Sequence, residues 1–205
     1  MDEDYAFFLK KFGNGFARQE VPASSIERYK NKLPDRLLEY WRSYGWCGYA
    51  DGIFWTVNPQ DYEPLLEKWL AHTELCHLDK FHVIARSAFG KLYIWGEERG
   101  YCLTINSYLA RYTLRASKFI GNKRDFGAQV FFSSRTPSDN DFDDLFKLAL
   151  KNLGTLEVDE MYGFVPALAL GGPIELKNLQ KVKTIEHLDF LSQLSPLQDW
   201  GFPDI

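Results

Sequence analysis

The sequence predicts an α+β fold: a helical N-terminal part packed with an antiparallel sheet flanked by helices, which lie to one side of it. Two observations carry this prediction. Up to about residue 78, apolar residues recur at three- and four-residue spacing between cap and stop signals, as they do in amphipathic helices. From residue 81 the period changes to short β-branched or aromatic runs separated by glycine-bearing turns.

Tyr5, Phe8, Leu9 and Phe12 share one helical face that stops at Gly13-Asn14-Gly15, so the chain opens with a short amphipathic helix. Ser24-Ser25-Ile26-Glu27 has the spacing of a capping box, in which a serine hydroxyl covers an early amide and Glu27 reaches back; a helix over about 25–31 follows. Pro34 ends it and fits the first turn of the next, with Leu37, Leu38, Trp41 and Tyr44 as the apolar stripe and Gly45 as the left-handed stop. Asp51-Gly52 signals a hairpin turn ahead of the β-branched, aromatic segment Ile53 to Val57. Asn58 and Pro59 then open a third helix carrying Leu65, Leu66, Trp69 and Leu70.

Phe81 to Ala85, Leu92 to Trp95, Tyr101 to Ile105 and Gln129 to Phe132 read as strands of an antiparallel meander, with turns at 87–90 and 96–100. Thr136, Pro137 and Ser138, followed by Asp139, Asp141, Asp143 and Asp144, predict a helix that ends at Gly154. Its inward face is Phe142, Leu145, Phe146, Ala149 and Leu153. An apolar stretch, Phe164 to Leu170, runs into Gly171-Gly172-Pro173, and Thr184 is expected to cap a last helix with Ile185, Leu188, Leu191 and Leu194 inward.

The 205 residues are 45% hydrophobic and 25% charged, the composition of a folded protein with one large domain or two small ones. Sixteen Phe, eleven Tyr and six Trp are an unusual aromatic load. Trp41, Phe54, Trp69, Tyr93, Trp95, Phe142 and Phe146 fall at core positions by periodicity, while Phe7, Tyr49, Phe89, Tyr162, Trp200 and Phe202 lie at ends and turns, where rings serve a partner surface. The net charge of −4 argues against a general attraction to nucleic acid or anionic membrane. It is unevenly spread: residues 81–136 hold 9 basic and 3 acidic side chains, residues 137–205 hold 5 and 12. With no apolar run long enough to span a membrane and an acidic start where a secretory signal needs basic residues, a cytoplasmic location is expected. Cys47, Cys76 and Cys102 form neither an even set nor a CxxC pair, so reduced thiols are expected.

Sequence patterns for chemistry are weak. His72, Cys76, His77 and His82 cluster, but a fourth ligand on a rigid loop is missing. The run from Asp139 to Asp144 opens like a calcium loop but has Asp144 where glycine is required and Leu150 where a bidentate Glu is required. Neither a metal nor any other cofactor is expected. No Gly-x-Ser-x-Gly elbow, Walker loop or Gly-x-Gly-x-x-Gly turn occurs. Arg111, Arg115, Lys118, Lys123 and Arg124, interleaved with Tyr112 and Phe119, have the composition of a single-strand stacking surface, which the acidic remainder opposes. A binding protein accounts for these residues better than an enzyme does.

The stretch LPDRLLEYWRSYGWCGYADGIFWTVNP at 33–59 resembles the GAD-like domain. FHVIARSAFGKLYIWGEERG at 81–100 with Asn106, then MYGFVPALALGG at 161–172 and VKTIEHLDFLSQL at 182–194, resembles the domain that follows it in Tdi-type immunity proteins of bacterial type VI secretion. The resemblance implies two regions, a GAD-like domain over 1–78 and a Tdi-type domain over 79–205, which could form one compact unit. It implies an antitoxin that binds the toxin domain of a cognate effector, one to one, and occludes its active site; toxins of this family include DNases. The charge pattern then nominates Asp139, Asp141, Asp143 and Asp144, with Glu157, Asp159 and Glu160, as the surface that meets a basic toxin, and the hairpin tip Glu97-Glu98 as a second choice. The competing readings are an enzyme that reverses a toxin's modification and a nucleic-acid-binding regulator.

Overall fold

The computed structural model describes residues 2–201. Helix α1 (Glu3–Phe12) is capped by Asp2, whose carboxylate accepts from the Tyr5 amide at 2.8 Å. Strand β1 (Phe16–Gln19) leads through α2 (Ala23–Tyr29) and α3 (Asp35–Tyr44) to the hairpin β2 (Trp46–Tyr49) and β3 (Phe54–Thr56). Helix α4 (Pro59–Leu70), capped by Asn58, precedes β4 (Phe81–Ser87), β5 (Lys91–Gly96), β6 (Gly100–Asn106) and β7 (Arg111–Leu114). Then come α5 (Arg124–Ser134), α6 (Phe146–Leu153), the hairpin β8 (Glu160–Phe164) and β9 (Leu179–Lys183), α7 (Thr184–Leu194) and the short β10 (Gln198–Asp199).

Strands β1 to β7 lie side by side in chain order, each antiparallel to the next, and β10 closes the edge parallel to β7. Strand β3 pairs directly with β4 through Phe54–Ser87, Trp55–Arg86 and Thr56–Ala85, so strands from both sides of residue 78 share one sheet. Strands β8 and β9 make a separate two-stranded sheet.

Helices cover both faces of the large sheet, not one. All residues of β2, β3 and β4 are buried, which a sheet wetted on one side cannot do because alternate side chains point to opposite faces. On one face α1 and α5 bury Phe8, Phe54, Tyr93, Phe131 and Phe132 together. On the other, α4 and the β8–β9 hairpin close over Trp55 and Arg86.

Several expected elements differ. The run Gln129 to Phe132 is helical, inside α5: Gly127, Ala128, Phe131 and Phe132 are its buried side, a helical spacing that a four-residue window cannot reveal. Strands β1, β2 and β7 lack a sequence signal of their own. The Ser24–Glu27 capping box does not form. Pro22 starts α2 instead, and Ser25 turns inward, only 4% exposed, to donate to Gln60 Oε1 of α4 at 3.1 Å. Thr184 is the first residue of α7 and makes no capping bond. Gly45, at φ +75, does end α3, and a side chain there would meet the Gln19 carbonyl oxygen.

The aromatic surplus is redistributed. Tyr49, Phe89 and Tyr162 are buried, and only Phe7 and Trp200 of the end and turn set are exposed, at 50% and 40%; Phe202 lies outside the described residues.

Candidate partner-binding site

The helix expected over Asp139 to Gly154 begins only at Phe146. The acids ahead of it build a turn. Asp141 Oδ1 accepts from the amides of Phe142 at 2.7 Å and Phe146 at 2.9 Å, so this one carboxylate closes the turn and covers the start of α6. Asp143 and Asp144 take φ of +55 and +58, a left-handed conformation that Asp tolerates better than most residues. Both are exposed. Asp139 accepts the Thr136 amide on its carboxylate and the Lys91 ammonium on its backbone oxygen.

Glu157 and Asp159 lie in the turn before β8, and Glu160 is its first residue. Glu160 accepts the Glu157 amide at 3.0 Å and lies 3.3 Å from Lys181, while Asp159 pairs with Lys183 at 2.7 Å. Hydrogen bonds and these lysines hold both carboxyls below their usual range. Much of this turn's charge is therefore neutralised from β9. By contrast, Asp139, Asp141, Asp143 and Asp144 have no ion-pair partner within 4.0 Å among the described residues.

The two acidic turns come together at one end of the central hairpin. The Ala88 carbonyl accepts the Tyr162 amide at 2.8 Å, and the Phe89 ring packs against both Phe142 and Tyr162. Glu97 and Glu98 lie at the other end of β5, roughly 17 Å along the strand at the usual rise per residue, and do not join this surface. Glu97 is moreover engaged: its Oε1 lies 2.8 Å from Nε2 of His82, which is buried.

Beside the acidic turn the structure exposes aliphatic residues that the sequence did not single out. Phe142 stacks edge-on against Tyr108 and Phe164, linking the turn to the 107–109 and 168–170 turns, which pack on each other. In these turns Leu109 and Leu170 are 40% and 61% exposed, and Val165, next to Phe164, is 41% exposed. Val165 and Leu170 fall in the apolar run Phe164 to Leu170, of which only Phe164 belongs to a strand; Leu109 carries no such signal. An apolar patch rimmed by unpaired carboxylates is suited to a partner carrying both an apolar pocket and basic residues.

The His82–Glu97 pair could suggest proton-transfer chemistry, but its setting is structural. The ring is 2% exposed and lies edge-on to Tyr29, whose hydroxyl donates to Glu63 at 2.9 Å. Burial lowers the His82 pKa, against the opposing pull of Glu97; burial lowers that of His187 as well. The folded chain thus binds these protons less readily than the unfolded chain, and acid favours unfolding below the ordinary imidazole value of about 6.5. Stability should fall as the pH drops below about 6.5, by up to about 1.4 kcal/mol per pH unit for each ring. Urea unfolding over this range should show a shallower slope for His82→Gln than for the unmodified chain; equal slopes would exclude His82 as a contributor.

Residues 3–109 match the sequence profile of the GAD-like domain, and residues 125–195 match that of the C-terminal region of the T6SS immunity protein Tdi1. The first match runs past residue 78 through β6 and the turn after it. The chain is similar to Atu4351 from Agrobacterium tumefaciens, known from a crystal structure, at 26% identity and a TM-score of 0.86. The similarity covers 97% of this chain and 94% of that one. No curated protein matches.

Proposed function

Because the chain belongs to the GAD-like domain family and carries a match to a type VI immunity-protein C-terminal region behind that domain, we propose that it neutralises the toxin domain of a cognate effector by binding over its active site. The two matches in tandem are the observation that carries this reading. The toxin is proposed to be a nuclease, whose cleft must attract a polyanion and so presents basic residues. Asp139, Asp141, Asp143 and Asp144, with Glu157, steer the encounter; Leu109, Val165 and Leu170 supply apolar anchoring. Asp159 and Glu160, held by Lys183 and Lys181, shape the edge of the surface, and Glu97-Glu98 stands apart from it. The two regions are proposed to act as one unit, since a shared sheet gives them no hinge between β3 and β4.

The test pairs the protein with the toxin encoded beside it. Occlusion requires protection to titrate one for one, whereas an enzyme that reverses a modification protects at substoichiometric amounts and without the toxin present. Asp143→Asn with Asp144→Asn removes two charges while keeping residues that accept a left-handed backbone. Association at low salt should slow about tenfold, with dissociation nearly unchanged, because peripheral charges act mainly on encounter. The melting temperature should not move. Leu170→Glu should weaken binding about 30-fold or more if this side chain fills a pocket. Unchanged affinity in both variants would move the contact elsewhere.

A further inference from the structure

A cavity of about 630 Å³ forms a groove between α5 and the β5–β7 part of the sheet. Its charge is of one sign. Lys91, Arg115, Lys118 and Arg135 line it, and among the described residues no Asp or Glu does, in a chain whose net charge is −4. None of these four side chains has an ion-pair partner within 4.0 Å among the described residues. Asp139 accepts the Thr136 amide on its carboxylate and the Lys91 ammonium on its backbone oxygen. Like charges facing a common cavity repel one another: burial first and Arg135 second lower the Lys91 pKa, and Asp139 opposes them.

The groove is also aromatic. The Arg135 guanidinium lies over the rings of Tyr93, Tyr101 and Phe131 at 5.4, 5.5 and 5.4 Å, and Phe119 and Trp95 complete the walls. Two donors remain unused: Arg135 Nε and Trp95 Nε1 are buried without a hydrogen-bond partner. Thr104, Thr113, Ser117 and Asn106 add neutral polar groups around the opening. The stacking-plus-charge composition of the basic middle segment is thus realised by only part of that segment. Arg115, Lys118 and Phe119 line the groove, whereas Arg124 is drawn off to the Asn31 and Lys32 carbonyls and Arg111 to that of Asp199. The charged side chains that line the groove, among the described residues, are thus all cationic, opposite in sign to the net charge of the chain.

We propose that this groove binds a mononucleotide unit, with its phosphate among the four cations and its base against the aromatic wall. The volume is in the range of small-ligand sites, and the two recognition elements a nucleotide needs, clustered cations and planar faces, meet in one cavity. The groove adjoins the proposed toxin-binding turn, since Lys91 donates to the Asp139 carbonyl and Tyr108 packs on Phe142, but the assignment does not rest on the immunity reading.

Titration of the full chain with AMP, GMP and UMP, followed by tryptophan fluorescence and calorimetry, tests it, since Trp95 and Trp200 both line the groove. A Kd below about 0.1 mM for at least one nucleotide is expected, with inorganic phosphate and adenosine each at least about tenfold weaker. A 5′-phosphorylated trinucleotide separates the two sources of this chemistry: tighter binding than AMP indicates a strand end, weaker binding a free nucleotide. Arg115→Glu with Lys118→Glu, both exposed positions, should weaken nucleotide binding at least tenfold without changing the melting temperature. Inorganic phosphate binding as tightly as the nucleotides, an affinity that survives the double reversal, or a short acidic peptide binding more tightly than any nucleotide would each overturn the assignment.

Discussion

Replacing Arg86 with methionine is expected to destabilise the fold by about 2–4 kcal/mol, even though the substitution removes a buried charge and keeps much of the volume. Arg86 is fully buried on β4 and, among the described residues, has no carboxylate within ion-pair distance. Its charge is met instead by carbonyl oxygens and an aromatic face: Nη2 donates to Val158 at 2.9 Å and Glu160 at 2.8 Å, and the guanidinium lies 5.1 Å from the Trp55 ring centre. Burial pulls its pKa down and Tyr62 opposes the shift. Methionine leaves both carbonyls without their donor, each worth about 1–3 kcal/mol when buried, and the gain from removing a desolvated charge offsets only part of this. In a chain of this size the melting temperature should drop by about 2–4 °C for each kcal/mol. Arg86→Lys should fall between the methionine variant and the unmodified chain, because the shorter ammonium can still donate to carbonyls but lacks the planar guanidinium that lies over Trp55. Hydrogen exchange locates the effect: amides of residues 157–164 should lose protection first. A methionine variant within about 0.5 kcal/mol of the unmodified chain would remove Arg86 from the set of groups that hold β8 to the sheet.

Phe8→Ala is expected to cost about 3–5 kcal/mol, the usual range for truncating a buried aromatic ring. Phe8 is fully buried, and its ring centre lies 4.6 Å from that of Phe12 and 5.0–5.7 Å from those of Tyr5, Tyr49, Phe54 and Phe132. These neighbours come from α1, the β2–β3 hairpin and α5, each held by its own backbone, so they cannot collapse into the space left behind. Phe7 provides the internal control. It is half exposed, with Lys11 above its ring at 4.6 Å, and Phe7→Ala should change stability by less than about 0.5 kcal/mol. Denaturant midpoints for the two variants measure the contrast, and a cost below about 1 kcal/mol for Phe8→Ala would mean that α1 is not part of the cooperative core.

Adjacent in sequence, these two phenylalanines have opposite fates, and helical spacing alone separates them: Phe8 falls with Tyr5 and Phe12, Phe7 does not. The same rule recovered α3, α4 and the β4–β6 meander, because their apolar patterns are long enough to reveal a period and their ends carry Gly45, Asn58 or a glycine turn. It fails at Gln129 to Phe132. There the apolar run is too short to show a period, and only the packing of α5 across the sheet and against α1 decides for a helix. It fails again at Asp139 to Asp144, where acids suited to a helix N-terminus instead bind their own backbone through Asp141 and take left-handed conformations.

The sequence by itself determined the fold class, the family resemblance and the concentration of acids in the C-terminal third, since each is a property of residue type and spacing along the chain. Tertiary structure decided which charges remain free. Lysines on β9 silence Asp159 and Glu160, His82 engages Glu97, and the turn at Asp143-Asp144 keeps its charge. It also gathered four scattered cations around one aromatic groove and placed Leu109, Val165 and Leu170 beside the acidic turn. The physical reason is range. Periodicity and capping act over a few residues, whereas a charge or an exposed side chain acquires its role from neighbours that the sheet brings together from distant parts of the chain.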